Sequence, residues 1–152
     1  MECEIREAQE EDAADVSCVI IGALRSTSAQ AYSQEIIDRV EKSFSPSAVS
    51  ELIGRRTAFV ALMNGKIVGT ASLDGKVVRT VFVAPGSQGQ GIGRSLMNAV
   101  DCAAREAGAG VEVLSVPLSV NAETFYSELG FIPVRDSYHG DERTVVMERR
   151  LV

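Results

Sequence analysis

Six residues, Gln88-Gly89-Gln90-Gly91-Ile92-Gly93, follow directly on the apolar run Val81-Phe82-Val83-Ala84-Pro85. Together the two stretches require a strand to stop and a helix to begin. Pro85 has no N–H to give to a sheet ladder, so the strand ends there. Ile92, Leu96, Val100, Ala103 and Ala107 then recur at three- and four-residue steps, the period of one apolar helix face. This predicts a helix from about Gly89 to Ala107, stopped by Gly108. The first turn of a helix has unpaired N–H groups and a partial positive charge. With glycines in place of side chains, such a turn can hold a pyrophosphate; the bland alternative is a glycine-rich turn that binds nothing.

The spacing decides which phosphate ligand is meant. A dinucleotide fingerprint, G-x-G-x-x-G, asks for a glycine where Arg94 stands, and a Walker loop asks for Lys-Ser or Lys-Thr where Arg94-Ser95 follows Gly93. Both nucleotide readings fail. The residues resemble instead Q/R-x-x-G-x-G/A, the acetyl-coenzyme A loop of the GNAT superfamily of N-acetyltransferases, with that family's V-x-P present as Val83-Ala84-Pro85. A second segment, Ser119-Val120-Asn121-Ala122-Glu123-Thr124-Phe125-Tyr126-Ser127-Glu128-Leu129-Gly130-Phe131, is similar to the family's A-x-x-F-Y-x-x-L-G-F ending. Physically it reads as a short helix capped by Ser119 or Asn121, with Ala122, Phe125, Tyr126 and Leu129 on one face and Gly130 ending it. The resemblance runs from Ile5-Arg6 to the closing strand Val145-Val146-Met147-Glu148.

That resemblance implies an α/β (α+β) fold. Its sheet would be central, mixed, mostly antiparallel and seven-stranded, with four or five helices, in a single domain over residues 1–152. The fourth and fifth strands would splay around acetyl-CoA, and the pantetheine arm would pair with the backbone near Phe82 and Val83. The pyrophosphate would rest on the amides of Gln88, Gly89, Gln90, Gly91, Ile92, Gly93 and Arg94. Arg94 is the nearest cation, or else an ordinary exposed helix residue. Where many relatives place a pantetheine-binding asparagine, Ser119 stands here, with Asn121 two residues on; either can contact coenzyme A, or Asn121 only caps the helix.

The implied reaction moves an acetyl group from acetyl-CoA to a primary amine of a small molecule or protein. Tyr126 matches the family tyrosine that gives a proton to the departing sulfur; the alternative is that it only packs beneath the cofactor. No carboxylate occurs in Lys76–Val83, so deprotonation of the amine is expected through water, with Asp74, Glu142 or His139 as helpers. Alternation places Arg79 on the face of Val81 and Val83, where it would anchor an acceptor carboxylate or simply be solvated. The loop from Ser26 to Tyr32 is polar and uncharged and names no substrate. The competing reading is a coenzyme A-binding sensor or interaction domain without catalysis.

The remaining elements follow local signals. A strand is expected over Glu4–Glu7, a helix from Glu10 to about Arg25, a second over Ser33–Phe44, and a third begun by Ser45-Pro46. Asn64-Gly65 and Asp74-Gly75 predict two type I′ turns linking three antiparallel strands. Strands over Val111–Val116, Phe131–Asp136 and Thr144–Leu151 complete the sheet. Three cysteines, Cys3, Cys18 and Cys102, have no C-x-x-C spacing and read as buried thiols. One histidine and few other ligands leave no metal expected, and a net charge of −6 argues against nucleic acid. No apolar run approaches the ~20 residues that cross a bilayer, and the acidic N-terminus is unlike a signal peptide. A cytoplasmic enzyme, with a homodimer through the last strands unsurprising, is the expectation.

Overall fold

The computed structural model describes residues 3–28, 33–106, 113–119, 123–139 and 142–150. In chain order the elements are β1 (Glu4–Glu7), α1 (Ala13–Ser28), α2 (Gln34–Ser43), α3 (Pro46–Arg55), β2 (Thr57–Met63), β3 (Lys66–Asp74), β4 (Val77–Val83), α4 (Ile92–Glu106), β5 (Val113–Ser119), α5 (Glu123–Glu128), β6 (Ile132–His139) and β7 (Glu142–Arg150). The strands form one seven-stranded sheet in the order β1-β2-β3-β4-β5-β7-β6. Only β4 and β5 run parallel; the other neighbours are antiparallel. This is the mixed, mostly antiparallel sheet expected.

Local chemistry accounts for the joints. Asn64 and Gly65 have φ of 55° and 77°, the left-handed pair that a type I′ turn needs. The second turn differs from expectation. β3 continues through Asp74, the loop is Gly75-Lys76, and only Gly75 is left-handed (φ 64°), the pattern of type II′. Ser45 caps α3 by accepting from Ala48 N at 3.3 Å, with Pro46 in the first turn. The acidic run Glu10–Asp12 forms a 3₁₀ turn ahead of α1, and Asp12 ties it to β1 by pairing with Arg6 at 2.8 Å.

Each face of the sheet buries its own core. On one side α4 presents Ile92, Leu96, Met97, Val100 and Ala104 to Ala61, Val68, Ala71 and Val78, joined by Leu114, Phe131 and Met147. On the other, Ala13, Val16, Val19 and Ile20 of α1 and Val49 of α3 cover Val60 and Ile67. The period of two in β2 and β3 divides neighbouring residues between these cores. Gly69 lets α4 close on the sheet: a Cβ there would lie 3.1 Å from both Ile92 Cγ2 and Leu96 Cδ1.

Several boundaries and faces depart from the sequence reading. β5 extends to Ser119, which is therefore strand and not a helix cap; α5 starts at Glu123, and Asn121 lies outside the described residues. The β6–β7 hairpin is longer than expected, with His139 opposite Glu142. β6 is an edge strand and exposes Ile132, Val134 and Tyr138. Cys18 and Cys102 are exposed, not buried, because each falls on the solvent side of an amphipathic helix; Cys3 is half-buried, and all three thiols are free. Among the described residues no helix is long and apolar enough to cross a membrane.

Candidate active site

Among the described residues, the parallel ladder between β4 and β5 holds a single residue pair, Val77 with Ser115, supported by Ser115 N donating to Lys76 O at 2.9 Å. β4 stays paired to β3 as far as Val83, whereas β5 pairs with β7 to Ser119. The two strands therefore part beyond Val77, leaving one edge of β4 without a ladder. Ala84 N donates to Val68 O at 2.8 Å and fixes the end of β4. Pro85–Ser87 makes one 3₁₀ turn.

Gly89 and Gly91 have φ of 80° and 77°. Left-handed residues do not continue a right-handed helix, so α4 starts at Ile92, three residues after the expected Gly89. Its first backbone bond is Ser95 N to Gly91 O, 3.0 Å. The N–H groups of Ile92, Gly93 and Arg94 consequently have no acceptor inside the helix. A Cβ on Gly89 or Gly91 would meet nothing within 4 Å, so both positions need glycine for conformation and leave open space beside the amides. Gly93 has another reason to be glycine: its Cβ would stand 3.1 Å from Phe125 Cζ.

These pieces enclose a cleft of about 600 Å³. Val81 and Val83 form one wall, Ser87 to Gly89 and Gly91 to Arg94 another, and Phe125 and Tyr126 of α5 the third. Tyr126 is only 5% exposed. Its ring meets Phe125 edge-on at 4.9 Å and Phe131 at 5.6 Å. Burial raises its phenol well above the ordinary value, since the phenolate would lose its hydration.

Of the residues singled out from sequence, the cleft gathers Val83, Gln88, Gly89, Gly91, Ile92, Gly93, Arg94 and Tyr126. Gln90 is exposed and is not among its lining residues. The Phe82 side chain turns to the opposite face, edge-on to Phe44 at 6.2 Å, so only its backbone belongs to the open edge of β4. Gln88 Nε2 lies 3.5 Å from Val83 O, a long contact at that same edge. The side chains of Ser119, His139 and Glu142 lie outside the described residues, as does Asn121. Phe125, Val81 and Ser87 also line the cleft; Phe125 stands in the F-Y motif beside Tyr126 and on the same predicted helix face, the signal that places it here.

Arg79 does not share the face of Val81 and Val83. The β3–β4 register shifts between Thr70–Phe82 and Ser72–Arg79, so β4 carries an extra residue at a bulge. Thr80 there has φ 56°, unusual for a β-branched residue. The bulge returns Arg79 to the side of Ser72, where its Nε lies 3.5 Å from Asp74. Arg56, which the sequence reading passed over, donates from Nη1 to Thr80 Oγ1 at 3.1 Å. Its guanidinium is held below the ordinary arginine value, first by burial and then by the charges of Arg79 and Arg55, with Asp74 opposing. Among the described residues no group of three or more His, Cys, Asp or Glu side chains is placed to hold a metal.

Residues 28–149 match the family model for the acetyltransferase (GNAT) domain. Among solved structures, the chain is similar to a GCN5-related N-acetyltransferase from Rhodopseudomonas palustris, with TM-score 0.87 and 23% identity over 99% of this chain and 97% of that one. It is also similar to the PaiA N-acetyltransferase of Thermoplasma acidophilum in complex with coenzyme A, with TM-score 0.85 and 19% identity over 99% of each chain. A putative acetyltransferase, YncA of Salmonella typhimurium, with its cofactor acetyl-CoA, gives TM-score 0.69 and 22% identity over 100% and 95%. No curated protein matches the chain. The family match spans most of the residues that build both the parted strands and the glycine turn, and the chain belongs to the GNAT acetyltransferases.

Proposed function

We propose that this protein transfers the acetyl group of acetyl-CoA to a primary amine of a small molecule or protein, with Tyr126 as the proton donor to the leaving sulfur. One observation carries the reading. The unpaired edge of β4, the bare amides of Ile92, Gly93 and Arg94, and the Tyr126 ring all border the same cleft. The residues fit such a cosubstrate. Open space beside Gly89 and Gly91 admits a diphosphate to the helix N-terminus, where the dipole favours anions. Arg94 adds a cation at the rim. The backbone of Phe82 and Val83 offers an extended pantetheine arm the hydrogen bonds that β5 does not take. The two structural neighbours that hold coenzyme A or acetyl-CoA support the same use of this fold.

The thioester supplies the acyl group; this chain's residues supply position and a proton. Tyr126 is kept neutral by its apolar surroundings, so it still holds its proton when the sulfur departs. A positioned acid of this kind is worth about 10²–10⁴-fold in rate. Asp74 is engaged by Arg79, so the amine is taken to lose its proton to water. Ser119 or Asn121 is retained as a pantetheine contact.

Calorimetric titration with coenzyme A, followed by thiol release from acetyl-CoA over an amine panel, tests the proposal. Binding with thiol release supports it. Binding without release to any amine would leave the alternative of a non-catalytic coenzyme A sensor, and absence of binding to folded protein overturns both.

A further inference from the structure

We propose that Arg56 binds a carboxylate on the acceptor, so that the preferred substrates are small amino acids, amines carrying an acid a few bonds from the nitrogen. The inference rests on reading the cleft as the acetyl-CoA site, and it concerns the opposite face of β4.

The position of Arg56 is fixed by the end of α3, where its backbone N–H donates to Leu52 O at 3.0 Å. Its side chain lies half-buried against the sheet and spends one N–H on Thr80 Oγ1. A guanidinium has five such donors. Among the described residues no carboxylate is within ion-pair distance of it. Asp74, the acid whose charge reaches Arg56, is paired with Arg79. The charges of Arg79 and Arg55 both bear on Arg56, in a chain whose net charge is −6. A partly desolvated cation with donors to spare is stabilised by an anion, and guanidinium geometry favours a planar one held at two points.

At Thr80 a hollow of about 20 Å³ is bordered by Arg56, Thr80, Thr70 and Ser72 and otherwise by apolar side chains, Val16, Ile20 and Leu52 among them; it has room for one carboxylate oxygen and no more. The other hydroxyls there are already donating: Ser72 Oγ to Arg79 O at 2.8 Å and Thr70 Oγ1 to Phe59 O at 2.9 Å. Arg56, and the Thr80 hydroxyl that accepts from it, are left with donors available.

The location suits an acceptor. Thr80 sits on the bulge and precedes Val81, which lines the cleft on the other face. Among the described residues β4 has no ladder with β5 beyond Val77, so its edge beside Thr80 is unpaired on that side. An acid held at Arg56 would place an amine a few bonds away at this unpaired edge, toward the cleft beside Tyr126. Were Arg56 present only to brace the bulge, its single bond to Thr80 would suffice, and it would not distinguish an acid from an amide.

The test is calorimetric titration of the protein saturated with coenzyme A, using straight-chain ω-amino acids of two, three and four carbons and the matching carboxamides. The best acid is expected to bind at least tenfold more tightly than its amide. The ratio should fall to near one in Arg56→Met and recover in part in Arg56→Lys. Equal binding of acid and amide, no binding by any member, or a ratio that survives Arg56→Met overturns the proposal. Should Arg56→Met not fold, Arg56→Gln takes its place, and an acid-to-amide ratio unchanged from wild type overturns the proposal. Thiol release from acetyl-CoA is read separately: acids that bind but release no thiol refute the acetyltransferase reading and leave the carboxylate site standing.

Discussion

Arg149 lies across the ring of Phe131, its guanidinium carbon 5.0 Å from the ring centroid. The same side chain donates to Leu129 O at 3.0 Å and pairs with Asp101 of α4. Gly130, at φ 92°, turns the chain between Leu129 and Phe131. One arginine on β7 therefore clamps the end of α5, and Phe131 passes that order to Tyr126 by edge-on contact. Removing it in Arg149→Ala is expected to cost about 2 kcal/mol, the sum of a charged hydrogen bond and a cation–π contact at a largely covered site. A urea midpoint lowered with an unchanged m-value is the readout. Transfer should slow severalfold while coenzyme A affinity holds; an unchanged midpoint would show that the clamp contributes nothing.

Gly91 and Gly93 stand two residues apart and answer different needs. Alanine at Gly91 meets no atom but must adopt φ 77°, at a cost of about 1 kcal/mol or a displaced turn. Alanine at Gly93 keeps an ordinary backbone and presses on Phe125, 3.1 Å and 3.2 Å from two ring carbons. Both variants are expected to weaken coenzyme A binding. Adding Phe125→Leu should restore affinity to Gly93→Ala and leave Gly91→Ala impaired, as measured by calorimetry on the two double variants.

The sequence was most readable where one residue type has one physical meaning. Pro85 ended β4, Asn64-Gly65 made its turn, Ser45-Pro46 began α3, and the four-residue steps of Ile92, Leu96 and Val100 gave the buried face of α4. It was misleading where a regular period was assumed to persist. The bulge at Thr80 carries no glycine or asparagine to announce it, so counting by twos sent Arg79 to the wrong face. The start of α4 was misplaced because glycines count equally as first-turn residues and as left-handed ones. Arg56 was invisible because it sits at the end of a helix in sequence and meets Thr80 only through the tertiary fold.

Asp12 offers a test at acid pH. It receives Arg6 at 2.8 Å and 3.1 Å, and the Gln9 amide at 2.7 Å. The hydrogen bond from Arg6, opposed by burial and aided by the Gln9 amide, holds its carboxyl below the usual carboxylate value. A folded pKa below the unfolded one stabilises the protein above the unfolded value, about 3.9, and that stabilisation is lost as pH falls through the folded value. Asp12→Asn should therefore lower the urea midpoint at neutral pH, with the gap from wild type closing below about pH 4. A gap that is constant with pH would mean that packing, not charge, ties β1 to α1.

Tyr126 has the opposite sign. Burial lifts its folded pKa above the unfolded phenol value of about 10. The folded state then holds its proton more tightly than the unfolded chain, so the contribution is complete below about pH 10 and is lost as pH rises above it. Wild-type stability should fall there with a slope of up to about 1.4 kcal/mol per pH unit from this group, and Tyr126→Phe should fall less steeply. The same variant tests the chemistry. With coenzyme A affinity held, its single-turnover transfer rate is expected to drop about a hundredfold or more, the loss of a positioned acid. Wild type should show no alkaline loss of rate from this residue below pH 10, since a phenol so deeply covered keeps its proton throughout that range. A Tyr126→Phe enzyme that transfers at full rate would leave the ring as a floor for the cleft and remove the acid from the mechanism.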